Sequence, residues 1–392
     1  MGMRTACFCL SLAAACGSSS GDPCADREHT HVGSFETAQE VHPLEELECI
    51  ELITGDLVVT SSTVDTLQSL SSLVQVLGDV VIRGRGFDTL AGLESLEEVG
   101  GSLRIVDSPR LTSLEGLASL RRIGDELVLS SLSKIESLRG LEHLREVRGD
   151  LSITSNEALL DVSALEELQS VGGVLRINSN AALLSAAIPS SGFSAAKGVH
   201  IALNDSLEEL VDFGELSRDT GICSDTARRS TVFGNPALRT VVINARQLSA
   251  PCVEIASSER LTWVRIDSPS LSELSLRSLP ALKELALSHL ALHSLELRAT
   301  GLETLDGVIA TTACNLSIMH NAQLSSLGSF TGAGGAASLL NISQNPRLPA
   351  CEVAQLVASL PEPEKLCTDA LGLVRAERRI RTMGNDESAS CP

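Results

Sequence analysis

Tyrosine is missing from this chain, tryptophan occurs once, at Trp263, and aromatic residues together make up 2%. Sugar-binding clefts and single-stranded nucleic-acid channels are built on rings that stack against the ligand. A sequence this poor in rings is ill equipped for either. Basic residues are also short: 30 Lys and Arg stand against 50 Asp and Glu, a formal charge of −20. Phosphate backbones and anionic membrane faces repel such a surface, so no nucleic-acid partner is expected. Beyond the first residues no apolar run reaches the ~18 that would span a bilayer. None of the 11 cysteines shows Cys-x-x-Cys spacing, which leaves zinc and thioredoxin-type chemistry unsupported. Cofactors and metals are accordingly expected to be none.

What is present is aliphatic and periodic. Hydrophobic residues are 43% of 392. Short β-like triplets recur: Leu57-Val-Val, Val80-Val-Ile, Leu103-Arg-Ile, Leu127-Val-Leu, Leu151-Ser-Ile, Leu175-Arg-Ile and Val199-His-Ile, at intervals of 23 or 24 residues. A glycine precedes most of them, as in Gly55-Asp, Gly78-Asp, Gly149-Asp, Gly172-Gly and Lys197-Gly, and is expected to supply the positive φ of a tight corner. The register continues at Ser230, Val253, Leu274, Leu295, Leu316 and Leu340, giving about 13 turns. A second set (Val241-Val-Ile, Val264-Arg-Ile, Leu285-Ala-Leu) predicts two strands per turn in the second half. Between triplets the hydrophobes step by three, as in Leu111, Leu114, Leu117, Leu120 and Ile123. That period fits short extended or 3₁₀ segments wrapping a coil, with one side chain in three facing inward. One turn cannot bury its own apolar face, but stacked turns can. The predicted fold is mostly β, a right-handed parallel β solenoid with small terminal caps, about 60 Å long at ~4.8 Å per turn.

The organisation expected along the chain is a signal peptide at 1–15, a Gly/Ser tether at 16–23 and an N-terminal cap at 24–54. Regular turns fill 55–206, an irregular insertion follows at 207–229, and two-strand turns occupy 230–350. A C-terminal helical cap takes 351–392, its helix carried by Val353, Leu356, Val357 and Leu360 and stopped at Pro361. Arg4 and the apolar residues 5–15 suit a signal h-region too short to span a bilayer. Leu12-Ala-Ala-Ala-Cys16 resembles a bacterial lipobox, with its Leu one residue further from the Cys than in the strongest examples. The resemblance implies lipidation at Cys16, and the lack of Asp after it implies the outer membrane. The membrane would be met through this anchor only. Cys7 and Cys9 would leave with the signal. The eight remaining cysteines suggest disulfides. Cys24–Cys49 and Cys351–Cys391 are favoured because each closes an end, Cys223–Cys252 less so, and Cys314 and Cys367 have no assigned place.

The repeat residues carry a further likeness. Leu-x-Ile-x-x-Asn-x-x-Leu, at 151–159, 175–183, 316–324 and 340–348, resembles the leucine-rich repeat. The Gly-Asp-Leu-x-Val start, the 24-residue turn and the Cys-flanked ends resemble more closely the receptor L-domain family and its bacterial, myxobacterial-type lipoprotein relatives. Coverage is about residues 45–350. Families of this shape are mostly recognition modules. The likeness implies that Asn156, Asn180, Asn204, Asn235, Asn321 and Asn345, at a fixed offset from each triplet, form a structural ladder inside the bend.

If the outer two residues of each triplet point inward, the middle one points out. That predicts an exposed row of Val58, Val81, Arg104, Val128, Ser152, Arg176 and His200, with Arg83 in the next row. Three arginines on one face could receive an acidic partner; the plain alternative is good strand formers kept soluble by Arg. Catalytic groupings are thin. His29 and His31 read as a solvated pair, His289 and His293 do not align at strand spacing, and the Glu-Glu pairs read as solvated turn edges. The expected function is an exported, lipid-anchored module at the cell envelope that binds another protein or envelope ligand, without catalysis. A passive envelope spacer is the alternative. A parallel β-helix polysaccharide-active enzyme is remote, since clustered carboxylates and sugar platforms are missing.

Overall fold

Alternation within the triplets sets the architecture. A computed structural model describes residues 24, 27–37, 44–60, 64, 66–86, 88–186, 193–195, 197–211, 215–216, 229–243, 252–267, 271–330, 339–359 and 379–388. In Leu57–Val59 the outer two side chains are buried and the middle one is half-buried. Leu103–Val106, Leu127–Ser130 and Leu151–Thr154 repeat the pattern. Each triplet pairs in parallel with the next: Leu57 with Val80, Leu103, Leu127, Leu151, Leu175 and, through Val199, onward. His200 pairs with Thr231, Val253 with Leu274, Leu295 with Leu316, and Leu316 with Leu340. These rungs form one continuous front sheet. The protein is a parallel β solenoid of about 11 turns, slightly fewer than expected, although the first set of triplets read from the sequence, Leu57 to Leu340, all lies on the front sheet.

The ends take part in the coil more than expected. Phe35–Glu36, inside the anticipated N-terminal cap, is already a rung paired with Leu57–Val58. Arg379–Arg381, inside the anticipated C-terminal cap, pairs with Leu339–Asn341. The cap helix itself is present as Ala350–Ser359, with Val353 and Leu356 buried. Residues 207–211 also belong to the solenoid rather than to an insertion: Leu207 and Leu210 are buried, and Glu209–Val211 pairs with Thr240–Val242.

A flanking sheet accompanies the front one and changes place part-way. In the first half it is nine two-residue strands running from Thr30–His31 through Gln75–Val76 and Arg122–Ile123 to Glu215–Leu216. In the second half Glu209–Val211, Thr240–Ile243, Trp263–Ile266 and the start of Glu284–Thr300 pair in succession. The two-strand turns are therefore present. Glu284–Thr300 runs unbroken from the flank into the front sheet.

The period of three produces two kinds of return arc. Leu111, Leu114, Leu117, Leu120 and Ile123 are all fully buried. Gln68–Leu70, Glu115–Leu117 and Ser163–Leu165 are 3₁₀ turns. In the turns between them, Gly92 (φ 112°) and Gly140 (φ 111°) take over the bend. Each sits against the backbone of the residue that opens the 3₁₀ turn before it, Leu67 and Leu114 respectively. The arcs interlock alternately.

The corner after most of the described front rungs is left-handed, but glycine rarely supplies it. Asp107, Ser131, Ser155, Ser179, Leu203, Ser257, His320 and Gln344 have φ between 48° and 60°. Of the glycines that precede the triplets, from which a positive φ was expected, Gly198 has one (122°), whereas Gly55, Gly78, Gly149 and Gly172 do not. Those four are small for another reason: a Cβ on Gly78 would strike Gly55 and Asp56, and one on Gly149 would strike Asp125. Stacked backbones approach too closely there for a side chain.

The Asn ladder follows the left-handed residue by one position. All six anticipated asparagines are buried. Asn180 Oδ1 accepts the Asn156 N–H at 3.1 Å, and Asn180 Nδ2 donates to the Ile153 carbonyl at 3.0 Å. Asn204 Oδ1 accepts the Asn180 N–H, and Asn235 Oδ1 the Asn204 N–H, both at 3.0 Å. A second run links Asn321 to Asn345 at 3.0 Å and ends at Asn385, which accepts the Asn345 N–H at 3.3 Å. A strand's end leaves backbone groups with no ladder partner, and a short amide satisfies a donor and an acceptor at once.

Cys24 and Cys49 are disulfide-bonded, as expected. Cys252 and Cys351 are also in disulfides, with partners beyond the described side chains. Cys314 lies in the strand Val308–Met319. Cys16, Cys223, Cys367 and Cys391, with residues 1–23, lie outside the described residues.

Candidate binding face

Registered pairing places Val58, Val81, Arg104, Val128, Ser152, Arg176 and His200 in one outward row. Arg83, Val106, Ser130, Thr154 and Asn178 form the next row. Neighbouring rungs lie ~4.8 Å apart, so these rows are ladders of touching side chains. Val58, Val81, Val106 and Val128 are half-buried. They form an apolar strip on consecutive rungs near the N-terminal end.

The arginines meet carboxylates of their own chain. Arg83 Nη2 lies 2.7 Å from Asp107 Oδ2. Arg104 bridges Asp79 at 3.3 Å and Glu126 at 3.2 Å, one turn to either side. Arg176 Nη1 donates to Asp150 Oδ2 at 2.6 Å. These pairs tie adjacent turns together and neutralise the row. Exposed pairs of this kind contribute little individually. Burial works against the Asp150 carboxylate, but the Arg176 and Val174 hydrogen bonds and the charges of Arg176 and Lys197 outweigh it and lower its pKa. His200 is pushed the same way: burial first, then the Arg176 charge, lower its pKa, with Asp150 opposing. Its Nδ1 is 2.7 Å from Thr231 Oγ1.

The front sheet continues beyond His200 with Thr231, Glu254, Ser275, Glu296, Ser317 and Asn341, a stretch the row read from sequence did not include. Here the face is ionic. Arg229 meets Glu254 at 3.0 Å and Glu273 at 3.5 Å, while Arg277 meets Glu254 at 3.5 Å and Glu296 at 3.0 Å. Both partners of the Arg229–Glu254 pair are only 22–23% exposed, so this network is better shielded than the first-half pairs. The signal for it was in the sequence as charges 19–25 residues apart, or 44 for Arg229 and Glu273, which align only once the turns are stacked.

His29 Nδ1 is 3.0 Å from Glu51 Oε1, an exposed pair between neighbouring turns. Among the described residues no three His, Cys, Asp or Glu gather as a metal site, and no helix is long and apolar enough to cross a membrane. Compared with family models, curated proteins and solved structures, the chain finds no match. The L-domain likeness therefore rests on the repeat residues alone.

Proposed function

We propose that this chain is an exported, lipid-anchored recognition module of the cell envelope, a leucine-rich-repeat-like solenoid of receptor L-domain type that binds another protein and performs no catalysis. The observation that carries this reading is the outward strip of Val58, Val81, Val106 and Val128 on adjacent rungs, bordered by the Arg83–Asp107 and Arg104–Asp79 pairs. Parallel sheets ordinarily have both faces covered. An apolar centre with a charged rim is the anatomy of a protein interface. Substituting both Val81→Glu and Val128→Glu should leave folding intact, since both side chains point outward, and weaken capture of the cognate protein from envelope extracts at least tenfold. Equal capture by the variant removes this reading.

A passive envelope spacer is favoured by a different observation: Arg83, Arg104 and Arg176 already hold carboxylates of the same chain. In that case wild type and variant capture nothing in common beyond background.

Anchoring is supported by the lipobox-like run ending in Cys16. Stable anchoring takes more than one acyl chain, which a modified N-terminal Cys provides. Cys16→Ala should shift the protein from the membrane to the soluble fraction; a variant still in the membrane pellet after a carbonate wash rules the anchor out.

A further inference from the structure

The ladder position is five residues after the first residue of each triplet. It holds Ser108, Leu132 and Asn156 in three successive turns, all buried. In the turn that begins at Val80 the same position holds Arg85, which is exposed. The residue before it is Gly84, and the chain does not enter the left-handed region there, whereas Asp107 (φ 48°) and Ser131 (φ 59°) do at the equivalent place. Among the described corners from Val80 to Asn180, this one alone is opened. Gly84 N–H reaches across to Ser108 Oγ at 3.3 Å instead of meeting a ladder amide. A shallow groove of about 550 Å³ results, running from Thr60 past Gly84 and Arg85 to Pro109 and Ser131. It borders the valine strip.

The described acids around this corner are taken by other arginines, which leaves Arg85 free in the groove. Asp107 is held by Arg83 at 2.7 Å, and Asp88 by Arg110 at 2.8 and 3.0 Å. Among the described residues Arg85 makes no ion pair, unlike Arg83, Arg104 and Arg176 on the sheet. A repeat that breaks its own rule at one corner, and leaves an unpaired guanidinium there, has the form of a site rather than of a rung. A guanidinium presents a planar fork suited to two carboxylate oxygens. The groove crosses four turns, ~14 Å at the spacing of parallel strands, which matches about four residues of extended peptide.

We infer that this groove receives an extended acidic segment of a protein partner, with Arg85 gripping one of its carboxylates. The inference rests on the recognition reading and places the specific contact at the corner rather than on the flat sheet. The net charge of −20 does not forbid it, because charges beyond ~8 Å are screened at physiological ionic strength.

The test uses the full chain and a fluorescein-labelled five-residue peptide of alternating Glu and Ser, followed by anisotropy. The Gln counterpart, free glutarate, and the variants Arg85→Glu, Arg85→Gln and Arg121→Ala complete it; Arg121 is exposed and does not line the groove. The expected result is saturable, salt-sensitive binding of the acidic peptide, at least tenfold weaker for the Gln peptide and for both Arg85 variants, and within twofold of wild type for Arg121→Ala. Thermal melts of the two Arg85 variants exclude misfolding, and the neutral one serves if the charge reversal lowers the melting temperature. Absence of binding at millimolar peptide, equal binding by Arg85→Gln, or equal loss in Arg121→Ala overturns the inference. Glutarate binding as tightly as the peptide overturns it in favour of a small dicarboxylate. If envelope capture is lost in the Val81/Val128 variant but kept in Arg85→Glu, the groove falls and the recognition reading stands.

Discussion

Replacing Asn180 by Leu will lower the stability of the solenoid by about 4 kcal/mol, in a chain where a conservative surface change would cost a few tenths. The expectation follows from what one amide does. Its Oδ1 accepts the Asn156 N–H, and its Nδ2 donates to the Ile153 carbonyl, both buried. Leucine has similar volume and no polar atoms. The substitution therefore orphans one donor and one acceptor with no water to replace them, at about 1–3 kcal/mol each. Urea denaturation gives the global figure. Hydrogen exchange supplies a local one: the Asn156 amide should lose protection, while the Asn345 amide, held by Asn385 in the other ladder, should not. A variant with an unchanged midpoint and a protected Asn156 amide would show that the ladder is incidental.

Gly140→Ala will be nearly as costly, about 3 kcal/mol, through a different mechanism. At φ 111° an L side chain is strained whatever the space around it. The new Cβ would also be driven against the Leu114 backbone, the residue that opens the 3₁₀ turn of the preceding coil. Strain and overpacking are each worth about 1–3 kcal/mol. The neighbouring Arg139 tests the alternative that any change on this arc is harmful. It is exposed, with a single long pair to Glu115 at 3.9 Å, so Arg139→Ala should leave the melting temperature within about a degree. Similar losses in both variants would defeat the argument from Leu114.

Stacking explains which features could be read from the chain alone. Leu111 through Ile123 announced an inward residue every third position because burial of that kind is periodic within one turn. Asn156 and its equivalents announced a ladder because they keep a fixed offset. The cap helix was legible from Val353, Leu356 and the proline beyond it. What escaped depends on neighbouring turns. Arg104 looked like a cation open to a partner, and its acids, Asp79 and Glu126, stand 25 and 22 residues away in sequence. Asn385 keeps the same offset, five residues after Ile380, but that rung comes 40 residues after Leu340 and was read as part of the cap. Ser155 and Ser179 carry the left-handed corner with a residue type that does not advertise it. The glycines were found but given the wrong reason, since crowding by the next coil at Gly78 is invisible within one repeat. Arg85 went unnoticed because it matters by departing from a pattern.

The ladder also has a direction. Every asparagine in it reaches back to the coil made before it: Asn156 to Leu132, Asn180 to Asn156, Asn204 to Asn180, Asn345 to Asn321. A polypeptide is synthesised from its N-terminus. Within either run the newest coil is therefore one asparagine short, and its corner is closed only when about 24 further residues have been made, or 40 for the last link to Asn385. Shortening the chain from the front leaves every remaining bend satisfied. Shortening it from the back within either run leaves one that is not.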